Sequence, residues 1–326
     1  MIDIMSMPFM QLALVAALLS GLMAPAIGTY IVQRRLSLLG DGLGHVAVAG
    51  VGLSFVTRTA PMPLAVAVCV LGAVFVEVLR QQGRATGDIG LAILFYGGLA
   101  SGVMMAGIAG QGAGALSQFL FGSLTTLSEA DVWAVAALAL VVVVLCVGLS
   151  PQLFAICADE DFSRVLGLRV RWMNLMVVVL AALTVTISMR TVGLMLVSAM
   201  MVIPVATAQN LFTSFRGSLL GAMGIGALVA VAGTMGSYYW DTASGASIVV
   251  CAIVVFLATW PVTRLLDRHR ERVLTRDEHD DDEHVVACEP YHEHDEQHLA
   301  IQHGDHVDYL HGGHRHAPHG DHFDEH

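Results

Sequence analysis

The chain has 326 residues, 56% of them hydrophobic and only 13% charged, with a formal net charge of −11. A mean hydropathy of +0.69 excludes a water-soluble globular domain and leaves a polytopic membrane protein. All sixteen basic residues are arginine, which excludes a G-x-x-x-x-G-K-[ST] phosphate loop, because that loop needs a lysine for the β and γ phosphates.

Apolar runs cover about residues 9 to 33, 40 to 57, 61 to 79, 89 to 109, 132 to 150, 172 to 189, 191 to 210, 217 to 238 and 243 to 263. A hydrocarbon core roughly 30 Å thick takes about 20 helical residues, and a helix satisfies its own backbone polar groups. The expected fold class is all-α, a polytopic membrane helix bundle of nine transmembrane helices, or eight if one short segment is re-entrant. The first run has neither a basic leader nor a small-residue cleavage site, so it is expected to stay as the first helix. Arg34, Arg35, Arg80, Arg84, Arg164, Arg169, Arg171, Arg216, Arg264, Arg268, Arg270 and Arg272 fall on one side of a nine-span arrangement, and only Arg58 and Arg190 on the other. The positive-inside rule then puts the N-terminus outside and the C-terminus in the cytoplasm. Gly40 with Gly44 and Gly217 with Gly221 are small-xxx-small pairs that let helices approach closely in lipid.

Polar residues in these runs are few enough to take one by one. Pro25 and Pro204 lie inside spans, where each frees a backbone carbonyl and marks a candidate kink or gate. The stretch LSLLGDGLGH, residues 36 to 45, sets Asp41 and His45 at i and i+4 on one helical face. An ionisable residue inside a span costs a few kcal/mol and is a functional candidate by default; the competing reading is an Asp–His ion pair that only locks helices. Gly40, Gly42 and Gly44 leave this turn open to a close neighbour or to water. One carboxylate oxygen and one imidazole nitrogen are half a shell for a divalent transition metal, and a second copy across a two-fold axis completes it. Glu77 reads as a snorkelling partner of Arg80, and Asn174, Gln209 and Asn210 as hydrogen-bonding groups at span ends.

The segment CADEDFSRVLGLRV, residues 157 to 170, has acids first (Asp159, Glu160, Asp161), then Arg164, then Gly167. That order describes a short capped helix on the cytoplasmic side, suited to docking a partner. Residues 1 to 270 carry 13 Arg against 11 acids and residues 271 to 326 carry 3 Arg against 16 acids, which divides the chain into a membrane domain, 1–270, and an acidic tail, 271–326. The tail holds His279, His284, His292, His294, His298, His303, His306, His311, His314, His316, His319, His322 and His326. Few large apolar residues remain there, so disorder is expected, and the imidazoles and carboxylates are candidate metal ligands. Five cysteines without a C-x-x-C pair make no disulfide framework.

Three stretches carry a resemblance. RRLSLLGDGLGHVAVAGV resembles the second-helix signature, R-x-x-S-L-[ML]-G-D-[AG]-[LI]-[SG]-H-[AV], of the membrane permease subunits of ATP-binding-cassette importers for zinc, manganese and iron. DEDFSRVLGLRV is similar to that family's cytoplasmic coupling segment, and TVGLMLVSAMMVIPVATAQ to its G-x-L-L-V-x-[AS]-[ML]-[ML]-[IV]-x-P-[AV]-A-[TA]-A helix. Order and spacing agree over about residues 8 to 265. The resemblance implies a homodimeric permease of the bacterial inner membrane, joined to a cytoplasmic ATP-binding subunit that hydrolyses the ATP and fed by an extracytoplasmic metal-binding protein. It implies Asp41 and His45 as the metal pathway and Asp159, Glu160, Asp161, Arg164 and Gly167 as the coupling region. Gly44 stands where many members carry serine. No permanent cofactor and no nucleic acid are expected; the metal is the transported substrate, with lipid around the bundle. The histidine-rich tail tilts the expected ion to zinc, with manganese or iron as the alternative. A transporter working without ATP is a further rival, and an intramembrane metalloenzyme is disfavoured by the lack of an H-E-x-x-H pair on any span.

Overall fold

The computed structural model describes residues 8–82, 87–111, 113–121 and 128–261, together with the tail stretches 299–303, 306–311, 314–319 and 322–325. It divides into two units, Met1–Thr263 and Arg264–His326. The first is a helix bundle. Its elements are α1 (Pro8–Gln33), α2 (Leu39–Thr57), α3 (Pro61–Gln81), α4 (Gly87–Ala92), a π-turn (Ile93–Gly97), α5 (Gly98–Ile108), α6 (Ala113–Phe121), α7 (Glu129–Gly148), α8 (Ser150–Ala158), α9 (Glu160–Val165), α10 (Val170–Val192), α11 (Leu194–Leu211) and α12 (Phe215–Trp240). A last helix, α13, covers Ser244–Pro261. Eight of the described helices are long and apolar enough to cross a membrane, and α11 holds a shorter apolar stretch, Leu196–Leu211. The helix α4, the π-turn and α5 together make one of the eight.

Local chemistry sets the ends. Pro61 sits in the first turn of α3, where its missing N–H is no loss. Ser128 and Asp131 form a capping box at α7: the Ser128 hydroxyl accepts from Asp131 N at 3.3 Å and Asp131 Oδ2 accepts from Ser128 N at 3.0 Å. At the end of α1, Arg35 takes φ 58° and Leu36 N donates back to Ile31 O at 3.0 Å, turning the chain straight into α2. The expected break between the sixth and seventh runs, at Met189 and Arg190, lies at Gly193 instead. There φ is 91°, a conformation closed to most L-residues. The short helices α6 and α8 have no counterpart among the apolar runs.

The helices α1, α2, α10 and α11 occupy the middle of the bundle. Helix α1 packs on α12, α11, α7 and α10, while α2 packs on α5, α3, α10 and α11. Four buried threonines are satisfied locally: Thr29, Thr186, Thr207 and Thr234 donate to carbonyls four residues back. Tyr30 Oη ties α1 to α7 by donating to Cys146 O at 2.5 Å. All four tryptophans, Trp133, Trp172, Trp240 and Trp260, are exposed and lie near the ends of spans, the placement of an interfacial aromatic belt. Where α1 crosses α12, a Cβ on Gly21 would stand 2.6 Å from Gly226 O, and one on Gly226 would meet Gly21 O and, at 2.5 Å, Pro25 Cγ. The carbonyl left without a helical partner by Pro25 is that of Gly21. Helix α1 runs unbroken through Pro25, and α11 through Pro204.

Strands β1 (Leu299–His303), β2 (His306–His311), β3 (His314–His319) and β4 (His322–Glu325) form an antiparallel meander in the order β1-β2-β3-β4. The register sets His303 opposite His306, His311 opposite His314, and His319 opposite His322. In the sequence, the Gly-Asp, Gly-Gly and Gly-Asp pairs between the strands are of the kind that favours two-residue hairpin loops.

The α1–α12 crossing yields a test. Gly226→Val forces backbone apart and is expected to cost about 1–3 kcal/mol. Gly224, with open space around it, serves as control, and Gly224→Ala is expected to be neutral or stabilising by up to about 1 kcal/mol. Thermal unfolding midpoints in detergent check both; equal midpoints would remove the crossing as a determinant of stability.

Candidate functional site

Asp41 is the third residue of α2 and His45 the seventh, so both stand on one face within two turns of the helix start. A carboxylate in a first helical turn is stabilised by the amide dipoles it faces, which makes α2 a suitable carrier for Asp41. Both side chains are half-buried. No hydrogen bond or ion pair joins them, so the helix-locking reading finds no support. The ring of His45 instead meets Phe95 edge-on, centroids 4.2 Å apart, and its Nδ1 is buried without a hydrogen-bond partner. Burying such an atom unpaired costs about 1–3 kcal/mol, which a bound ligand would relieve.

The three glycines of this turn admit close neighbours, not water. A Cβ on Gly40 would stand 3.2 Å from Met201 Sδ and one on Gly42 3.3 Å from Leu94 Cβ, while Gly44 is covered by the Leu194 side chain. A serine at Gly44 would have to displace Leu194. Across the other side, a Cβ on Gly98 would come within 2.6 Å of the His45 carbonyl carbon, so α5 can lie directly on the backbone that carries the imidazole. Phe95 belongs to the π-turn Ile93–Gly97, the type of helical irregularity that gathers at functional sites. Sequence reading missed Phe95 and this turn, which no periodicity marks. Among the described side chains no group of three or more His, Cys, Asp or Glu stands close enough to hold a metal. One chain therefore offers two ligands here.

The second candidate region is built around Glu160. Asp159 caps α9, its carboxylate accepting from Asp161 N and Phe162 N, each at 2.9 Å. Gly167, at φ 79°, closes it with Leu168 N donating to Ser163 O at 3.1 Å and Gly167 N to Arg164 O at 3.0 Å, a Schellman end. Arg164 pairs with Asp161 at 2.6 Å and with Glu160 at 3.6 Å. The expected capped helix is thus present. What the sequence did not disclose is that Glu160 Oε1 also accepts from Arg34 at 2.9 Å, Arg80 at 3.2 Å and the buried Asn174 at 3.0 Å. Arg80 in turn grips Glu77 with two bonds of 2.9 Å, and Gln81 adds a third at 2.8 Å. One carboxylate binds α9 to α1, α3 and α10. The outer side of α9 is apolar: Phe162, Val165 and Leu166 are 60%, 84% and 58% exposed.

Of the tail histidines, His303, His306, His311, His314, His316, His319 and His322 lie on the strands; His279, His284, His292, His294, His298 and His326 lie outside the described residues. Cys69, Cys146, Cys157 and Cys251 are free thiols.

The Glu160 carboxyl is pushed up by burial but held below the ordinary glutamate range by the Arg80 and Arg34 charges and the bonds from Arg80 and Asn174. A depressed carboxyl contributes stability that is present above its unfolded pKa and is lost as pH falls through the folded value. Glu160→Gln leaves Arg34, only 6% exposed, without its charge partner, and should destabilise by about 1–3 kcal/mol at neutral pH. Unfolding midpoints against pH check it: the gap between wild type and variant should narrow on acidification, and a pH-independent gap would exclude the ionic account.

The chain is 27% identical over 263 residues to the manganese import system permease protein ScaB of Streptococcus gordonii, covering 80% of this chain and 94% of the relative. It is 31% identical over 255 residues to the manganese transport system membrane protein MntC of Halalkalibacterium halodurans, covering 78% and 87%. The solved structure of PsaBC from Streptococcus pneumoniae in complex with Fab superposes with a TM-score of 0.72 at 28% identity, covering 82% of this chain and 98% of that one. Residues 6–262 match the sequence profile described as the ABC 3 transport family, and the chain belongs to that family of multi-pass metal-importer permeases.

Proposed function

We propose that this chain carries manganese(II) into the bacterial cytoplasm as the permease of an ATP-driven importer, with Asp41 and His45 as its ligands on the path. The observation that carries this reading is the pair itself: two ligand-type side chains on one face of α2, not bonded to each other, with His45 Nδ1 buried and unpartnered. The relatives above are named for manganese. The zinc expectation rests on the tail, which lies beyond the family match at residues 6–262. The carboxylate is of the ligand type that suits manganese. A second copy across a two-fold axis doubles the set to two of each, and ligation this sparse lets an ion leave as well as enter.

The orientation follows from the arginines. Arg34, Arg80 and Arg164 meet at Glu160, so the positive-inside rule makes that end cytoplasmic, with the C-terminal tail on the same side. His45 then stands about 9 Å along α2 from its cytoplasmic start. The apolar outer side of α9 is the docking surface for the ATP-hydrolysing subunit, with Asp159, Glu160, Asp161, Arg164 and Gly167 shaping and anchoring it. A metal-binding protein delivers the ion on the opposite side. Pro25 and Pro204, each inside a continuous helix, are the points where the spans bend as the path opens. No group is held permanently; the metal is cargo.

Uptake of radiolabelled manganese and zinc, in cells lacking their own importers for both, tests the proposal. Wild type should accumulate manganese, and Asp41→Ala and His45→Ala should lower the rate at least about tenfold at equal membrane levels. Wild-type rates in both variants would remove the pair from the path. Saturable zinc uptake without manganese uptake would return the cargo to zinc, and flux without nucleotide in liposomes holding this chain alone would overturn the ATP-driven reading.

A further inference from the structure

The last turn of α3 and the first turn of α10 stand side by side: Gln81, Gln82, Arg171 and Asn174, with Arg164 of α9, line one cavity of about 310 Å³. A second cavity, of about 330 Å³, adjoins it through Val78, Gln81 and Arg171 and continues between Val74, Trp172 and Leu175. Val74 lies two turns before Gln81 and Leu175 one turn after Arg171, so the groove runs about 6–10 Å from the helix ends into the spans. Its two halves differ in chemistry. Guanidinium groups and carboxamides line the outer cavity, with no carboxylate among its described residues, while the inner one is aliphatic apart from the shared Gln81 and Arg171 and the indole of Trp172. Arg164 already pairs with Asp161 and Glu160. Arg171 is exposed and has no partner among the described residues. Gln81 and Asn174 each commit one N–H, to Glu77 and Glu160, and each amide has a second. No side chain caps α10, so its dipole also favours an anion at this end.

We infer that this groove binds one anionic phospholipid of the surrounding bilayer, its phosphate between Arg171 and Arg164 and one acyl chain between α3 and α10 along Val74, Val78 and Leu175. The unpaired guanidinium of Arg171 offers the planar fork that matches phosphate oxygens, and basic pockets between spanning helices at headgroup level suit acidic lipid headgroups. Trp172, exposed beside the apolar half, stands where an indole favours the boundary between headgroups and hydrocarbon. A soluble phosphate would use the outer cavity and leave the inner one idle; an uncharged lipid would use the inner cavity and leave Arg171 without a counter-charge. Only a molecule with an anionic head and an apolar chain fits both. Snorkelling of Arg171 towards water would account for its exposure, but not for a carboxylate-free cavity that opens into an apolar one. The inference needs only a chain that spans a bilayer, and it holds whichever ion the bundle moves.

Native mass spectrometry of the full-length chain in non-ionic detergent, titrated with phosphatidylglycerol or phosphatidylcholine, tests this by counting retained lipid. Wild type should hold one phosphatidylglycerol per chain at least about tenfold more tightly than phosphatidylcholine, and Arg171→Gln should abolish that preference. Arg169→Gln removes the same charge from a neighbouring position outside both cavities and should keep it; equal losses in the two variants would overturn the inference in favour of unspecific attraction to a basic surface. Val74→Phe leaves every charge in place but fills the apolar half, and should weaken phosphatidylglycerol about tenfold; binding as tight as in wild type would remove the acyl chain from the groove. Inorganic phosphate at the same concentration should leave the lipid bound, and displacement would assign the arginines to a soluble anion instead. Added phosphatidylglycerol should also raise the unfolding midpoint of wild type and Arg169→Gln but not that of Arg171→Gln; an equal rise in all three would overturn the site.

Discussion

Lipid gives helices no hydrophobic reason to associate, so the bundle rests on how closely their backbones can approach. The crossing of α1 and α12 at Gly21 and Gly226 shows the means: each glycine occupies the space the other's carbonyl leaves. The same device recurs where Gly98 brings α5 onto the backbone of His45. Close approach in one place holds the protein together; in the other it places an aromatic ring, Phe95, against the imidazole. Packing and the placement of the imidazole are therefore set by one kind of contact.

Charge is used in two opposite ways. At Glu160 a carboxylate is saturated, with three arginines and an asparagine around it, and such a group fixes structure. At Asp41 and His45 the potential for bonding is left open. A charge or an imidazole in an apolar span that is not paired internally is destabilising until something else satisfies it. That contrast, more than the identity of the residues, separates the anchoring knot from the proposed site of transit.

The helices were legible because spans of about 20 apolar residues have few alternatives in a bilayer. Their breaks were less so. Arg190 suggested a boundary by polarity, but the chain bends at Gly193 because only the backbone there can take φ 91°. Asp41 and His45 could be placed on one face by spacing alone. The partners of Glu160 could not, since Arg34 lies 126 residues away and Arg80 lies 80 away, and only the assembled bundle brings them together.

The knot at Glu160 also has a mechanical meaning. A load applied to the short helix α9 reaches the first, third and tenth helices through one carboxylate, and these helices come from distant parts of the chain. Force entering at the apolar outer surface is thus shared before it spreads into the spans. The Arg35 turn joins α1 directly to the helix bearing Asp41 and His45, so the shortest route from that surface to those two side chains is a single tight bend of backbone.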